Sequence, residues 1–84
     1  MAKFIYFGAE HCVQCMTALP RFKQTLEKLG VYDYEIIDTD GGEATELLIK
    51  YCIRGIPTIV VLDGDNVLAK GHALELIPRL KEFI

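Results

Sequence analysis

His11-Cys12-Val13-Gln14-Cys15 follows an apolar run, Phe4-Ile5-Tyr6-Phe7, and opens a segment with helical spacing. Two cysteines separated by two residues at a strand-to-helix junction support either thiol–disulfide exchange or metal ligation. The neighbouring residues bear on which. Upstream, Lys3 to Phe7 is rich in β-branched and aromatic residues without alternation, which suits a strand buried on both faces at the centre of an α/β sheet. Gly8-Ala9-Glu10-His11 breaks it. From Cys12 onward Met16, Leu19, Phe22, Leu26 and Leu29 recur every three or four residues, opposite Arg21, Lys23, Gln24, Glu27 and Lys28. That is an amphipathic helix ended by Gly30, with a kink expected at Pro20.

Tyr32 to Asp38 reads as a second strand with Ile36 and Ile37 buried. Asp38-Thr39-Asp40-Gly41-Gly42 then caps a second helix whose apolar stripe is Ala44, Leu47, Leu48, Tyr51 and Cys52. Ile56-Pro57 leads into a third strand, Thr58 to Leu62. A hairpin turn, Asp63-Gly64-Asp65-Asn66, returns the chain as a short edge strand from Val67 to Lys70. Gly71 and His72 turn it into a last helix with Leu76, Ile77, Leu80, Phe83 and Ile84 inward, tolerable only if Pro78 lies in the first turn. The element order is β-α-β-α-β-β-α. A right-handed crossover makes strands one and two parallel neighbours, and the hairpin extends the other edge antiparallel. The expected fold is α/β: a four-stranded mixed sheet covered by three helices, in one domain spanning residues 1–84.

At 51% hydrophobic and 25% charged, 84 residues can bury a core and do not read as disordered. A net charge of −3 without a Lys/Arg cluster argues against nucleic acid or an anionic membrane as partner. No apolar run approaches the roughly 18–20 residues of a membrane span, and the N-terminus lacks a signal-peptide pattern. The expectation is a cytoplasmic monomer, where thiols stay reduced. Three cysteines is an odd count, which argues against a structural disulfide framework.

Five features together resemble the thioredoxin superfamily: Ala9-Glu10-His11-Cys12-Val13-Gln14-Cys15 after a strand, Pro20 five residues beyond the second cysteine, Ile37-Asp38 closing the second strand, Ile53-Arg54-Gly55-Ile56-Pro57-Thr58, and Asp63-Gly64 followed by Ala73-Leu74 and Lys81-Glu82-Phe83. The resemblance covers nearly the whole chain and implies the minimal, glutaredoxin-sized version of that fold. It departs in detail. His11 stands where thioredoxins have Trp, Val13-Gln14 where they have Gly-Pro, and Tyr6 where they carry a buried acid that relays protons. Cys-Val-Gln-Cys is similar to glutaredoxin-like electron donors of ribonucleotide reductase, but no basic residue shortly precedes Cys12 and no Gly-Gly or Cys-Asp pair opens the last helix.

At the site, Cys12 would meet the free N–H groups of a helix start, which favour the attacking thiolate. Cys15, one turn later on the same face, can bridge to it and resolve the mixed disulfide. The resemblance implies a cis bond before Pro57 and a substrate surface formed by His11, Val13, Gln14, Gly55, Ile56, Pro57, His72 and Ala73. His11 would stabilise the thiolate or turn into solvent; His72 reads as an exposed loop histidine, Cys52 as a buried hydrophobe and Tyr6 as core.

Three functions follow. The first is a protein disulfide reductase and electron donor with no bound cofactor. A flavin-dependent thioredoxin-type reductase would recharge it, and its clients would be protein disulfides such as those of ribonucleotide reductase or peroxidases. The second is a glutathione-dependent, glutaredoxin-type reductase. The third is a metal-binding module using Cys12 and Cys15 with His11 or His72, although zinc prefers four ligands and one C-x-x-C supplies two.

Overall fold

A computed structural model describes residues 2–84. Strand β1 (Ala2–Gly8) leads into α1 (Val13–Lys28) and then β2 (Tyr34–Asp38). A 3₁₀ turn (Gly42–Ala44) precedes α2 (Thr45–Lys50); β3 (Thr58–Asp63) and β4 (Asn66–His72) form a hairpin. A single turn, α3 (Ala73–Leu76), continues as a 3₁₀ helix over Ile77–Phe83. The sheet order is β2-β1-β3-β4, with β1 parallel to β2 and both other pairings antiparallel. This is the expected mixed sheet with a central first strand.

Burial on both faces explains the unbroken apolar run of β1. Phe4 and Tyr6 point to one side, opposite Val61 and Ile59 of β3. There they join Ala18, Phe22 and Leu26 of α1 and Ala73, Leu76, Ile77 and Leu80. Ile5 and Phe7 point to the other side with Val60 and Leu62, where half-buried Leu47, Leu48 and Tyr51 of the α2 region cover them.

Several expectations need correction. The buried stripe of α1 is Cys15, Ala18, Phe22 and Leu26, rotated from the one read in the sequence. Met16 and Leu29 are exposed and Leu19 is half-buried, because the helix turns Cys15 and Ala18 toward Tyr6 and Ala73. Strand β2 begins at Tyr34 rather than Tyr32, and Ile36 is exposed, because β2 is an edge strand that α1 leaves partly uncovered. The last helix stays α-helical only up to Leu76, ahead of Pro78, and Ile84 is exposed.

Cys52 is exposed rather than buried. Helix α2 stops first, and Cys52 takes the left-handed residue of its closing turn at φ 54°. Its N–H donates to the Ile49 carbonyl at 3.2 Å and that of Ile53 to Leu48 at 2.8 Å. Helix α1 closes in the same way on Gly30 (φ 79°), with Gly30 donating to Glu27 and Val31 to Leu26. Lys70 of β4 reaches over to donate to the carbonyls of Tyr51 and Cys52.

Candidate functional site

Cys12 is the N-cap of α1, in extended conformation, and its sulfur accepts the Cys15 N–H at 3.1 Å. The cap replaces the usual Ser or Asp oxygen with sulfur, and no acidic residue in the first turn competes for the helix dipole. A thiolate on Cys12 would therefore be stabilised by a backbone donor and by the positive end of a 16-residue helix. Cys12 and Cys15 are joined as a disulfide, Cα to Cα 5.2 Å. Cys12 is partly accessible whereas Cys15 is 2% exposed, so an incoming sulfur meets Cys12 first.

Tyr6 lies directly beneath. Its hydroxyl donates to the Cys15 carbonyl at 2.7 Å, and burial pushes its phenol up to about 12. At neutral pH the group is a fixed donor that pins the first turn of α1. It does not replace the buried acid of thioredoxins as a proton carrier. Among the described residues no charged side chain is buried. Gly8 is needed here: a Cβ on it would come within 2.9 Å of the Tyr6 ring and 3.2 Å of Cys15 Cβ. In sequence Gly8 reads only as a strand breaker.

His11, just before the first cysteine, and Gln14, just before the second, face opposite flanks. His11 is exposed, as the solvent-facing alternative expects, and its Nδ1 lies 2.9 Å from Asp40 Oδ2, which tethers it to the loop after β2. Asp40 was not singled out in the sequence, and its distance of 29 positions along the chain explains why. Gln14 points the other way, its Oε1 3.4 Å from His72 Nε2. His72 is half-buried rather than a free loop residue. It caps α3, its Nδ1 accepting the Leu74 N–H at 3.2 Å. The neutral ring therefore carries its proton on Nε2, which donates to Gln14.

The sheet register brings the remaining candidates to the same end of the molecule. Thr58 pairs with Phe7 on one side and His72 on the other, which sets the Gly55-Ile56-Pro57 loop beside the end of β1. The Ile56–Pro57 bond is cis. Pro57 is buried and its carbonyl accepts the Ala73 N–H at 3.0 Å, while the Gly55 carbonyl accepts from the Thr58 hydroxyl at 2.6 Å. Ile56 is half-buried, and Val13, on the first turn of α1, is 81% exposed. Ala73 is fully buried in the core; its methyl cannot meet a substrate, and only its backbone serves the site. Met16, apolar and at core spacing in the sequence, is instead half exposed along a groove that runs past Cys15. Among the described residues no three His, Cys, Asp or Glu side chains gather as a metal site.

The thioredoxin family model matches residues 2–83. Solved structures similar to this one include germline-specific thioredoxin Deadhead of Drosophila melanogaster, with TM-score 0.81 and 24% identity over 99% of this chain and 81% of that one. Thioredoxin-2 of the malaria parasite gives 0.77 and 24% over 98% and 82%. Thioredoxin 1 of the thermophilic eubacterium Thermosipho africanus gives 0.78 and 21% over 96% and 92%. At these identities the structural likeness concerns the fold alone. No curated protein sequence is significantly similar.

Proposed function

We propose, from the premise that this chain belongs to the thioredoxin family, that Cys12 is the attacking and Cys15 the resolving thiol of disulfide exchange with polypeptide substrates. The chain is a thiol–disulfide oxidoreductase of that family, and its paired cysteines supply the chemistry. In the reduced protein the Cys12 thiolate, held by the Cys15 N–H and the α1 dipole, attacks one sulfur of a substrate disulfide. The other substrate sulfur leaves as a thiolate and takes a proton from solvent. Cys15 then loses its proton and attacks the Cys12 sulfur, releasing the second substrate thiol and restoring the Cys12–Cys15 disulfide. Two electrons pass from protein to substrate.

The observation that carries this reading is the asymmetry of the pair: an accessible Cys12 on a helix N-terminus above a buried Cys15. Val13 and Met16, both exposed, and half-buried Ile56 give the surroundings apolar contact area for a polypeptide. His11, Gln14, Gly55 and His72 complete the docking surface, while buried Pro57 and Ala73 hold its loop in place through the bond between the Ala73 N–H and the Pro57 carbonyl. Thioredoxins act on protein disulfides generally. The finer assignments are a flavin-dependent thioredoxin-type reductase as electron source, clients such as ribonucleotide reductase or peroxidases, action as a monomer and a reducing compartment such as the cytoplasm. Among the described residues no helix is long and apolar enough to cross a membrane.

Insulin-disulfide reduction with dithiothreitol tests the reading. Wild type accelerates precipitation of the insulin B chain, Cys12→Ser does not, and Cys15→Ser accumulates a mixed disulfide on Cys12. Equal inactivity of wild type and Cys12→Ser would sink it.

A further inference from the structure

The cysteine pair sits between two flanks of opposite charge. On the β2 side, Glu10 and Asp38 line the groove that passes Cys15, Glu43 lines the adjoining one, and Asp40 holds His11. On the β4 side a second groove is bounded by Arg54, Gly55, Ile56, Thr58, Lys70 and His72, and no carboxylate lines it. It adjoins the exchange site directly, because His72 contacts Gln14 between the two cysteines. Lys70 is fixed there by the Tyr51 and Cys52 carbonyls. Among the described residues the Arg54 guanidinium has no hydrogen-bond or ion-pair partner. A chain with net charge −3 therefore presents two cations, Arg54 and Lys70, along a groove that reaches the exchange site through His72, with Arg54 at the start of the loop that ends in Pro57.

We propose that this groove selects polypeptide disulfides carrying carboxylate side chains on one side of the reacting cysteine, with Arg54 as the principal contact. The inference rests on the thiol–disulfide reading above and specifies its substrates. The selection is one-sided because the opposite flank, with Glu10, Asp38 and Asp40, repels a second acidic stretch. Arg54 lies at the rim, so its effect is that of an exposed ion pair, about two- to fivefold in rate.

The test uses the reduced full chain in single turnover against peptides whose one cysteine is a mixed disulfide with 2-nitro-5-thiobenzoate. Attack of the Cys12 thiolate on the peptide sulfur forms the protein–peptide disulfide and expels the coloured thiolate. The peptides carry two Glu before the cysteine, two Glu after it, two Gln, or two Lys, and each rate is divided by that with dithiothreitol to remove intrinsic reactivity. One of the two acidic peptides is expected to react about two- to fivefold faster than the Gln peptide at low salt. The gain should fade at about 0.5 M salt, where screening is short. It should vanish in Arg54→Glu and persist in Lys81→Glu, which makes the same charge change at the far end of α1, beside Lys28 and Leu29.

Equal rates for acidic and neutral peptides, or a gain that survives Arg54→Glu, would overturn the proposal while leaving the exchange chemistry intact. Faster reaction with glutathione disulfide than with any peptide would assign the groove to that tripeptide and overturn it too. Absence of any reaction with wild type would overturn both readings.

Discussion

On one face of the sheet Phe22, Leu26 and Leu80 are wholly covered, and eleven buried residues from α1, the strands and the C-terminal helices form one cluster. On the other face, among the described residues, the buried cluster is Ile5, Phe7, Val60 and Leu62, and α2 contributes no buried residue of its own. The same central strand feeds both. The difference lies in the cover: a 16-residue helix against one of six. The cysteine pair belongs to the deep face, where Cys15 and Tyr6 can be held rigidly; the shallow face carries the loop from Cys52 to Pro57. Cys15 is thus anchored under the deeper cover, and the loop that ends in Pro57 lies on the more thinly covered side.

The contrast can be broken by mutation. Phe22→Ala, which empties a fully buried aromatic site, should cost about 3–5 kcal/mol. Leu47→Ala, on the half-buried cover of the shallow face, should cost about 1 kcal/mol or less, since most of its transfer free energy was never gained. Denaturant midpoints give both, and equal losses would show that the faces do not differ in depth.

Tyr6 sharpens it through pH. Its folded-state value, raised by burial from 10 to about 12, means that the native fold holds this proton more tightly than the unfolded chain does. The associated stability is fully present below pH 10 and is lost as pH rises toward 12, by an amount on the order of 2–3 kcal/mol. Comparing urea midpoints at about pH 9 and about pH 11.5 measures the loss, and Tyr6→Phe should flatten it. An unchanged slope in that variant would remove Tyr6 as its source.

Gly8→Ala crowds the Tyr6 ring and Cys15 from the deep side and should destabilise by about 1–3 kcal/mol, read from thermal or denaturant unfolding. A neutral result would mean that the ring can move aside. Smallest and opposite in sign is Cys52→Gly on the shallow face. The left-handed turn that closes α2 asks for glycine, and the thiol is exposed. The substitution should stabilise by about 0.5–1 kcal/mol, and a loss would show that the Cys52 side chain makes contacts that matter.

Apolar periodicity named Phe22, Leu26, Leu76 and Leu80 as core because a helix seated on a sheet must bury one stripe. It erred by one residue, a little over a quarter of a turn, at Met16 and Cys15, since Ala18 and Cys15 are too small to mark a face in the sequence but are what fits against Tyr6. It erred at Ile36 and Cys52 for a different reason. An apolar residue at an edge strand or past a helix end has nothing above it, and hydropathy carries no information about that. In the site, Cys12 and Cys15 could be read from their spacing and the elements around them, while Asp40 beside His11 and the role of Gly8 could not. Both depend on partners brought close only by the crossing of strands.

By itself, then, the sequence determined the order of elements, the central strand, the dithiol at a helix start and the proline loop meant to face it. Those are local properties: periodicity, turn chemistry and spacing act within a few residues. Only the tertiary structure decided that His11 is held by Asp40 and Gln14 by His72, that Tyr6 pins the first turn of α1, and that the reactive pair lies between an acidic and a cationic flank. Each of these joins residues from different strands and helices. They become neighbours because β1 is paired on both sides, which places the ends of β2, β3 and β4 around one helix N-terminus.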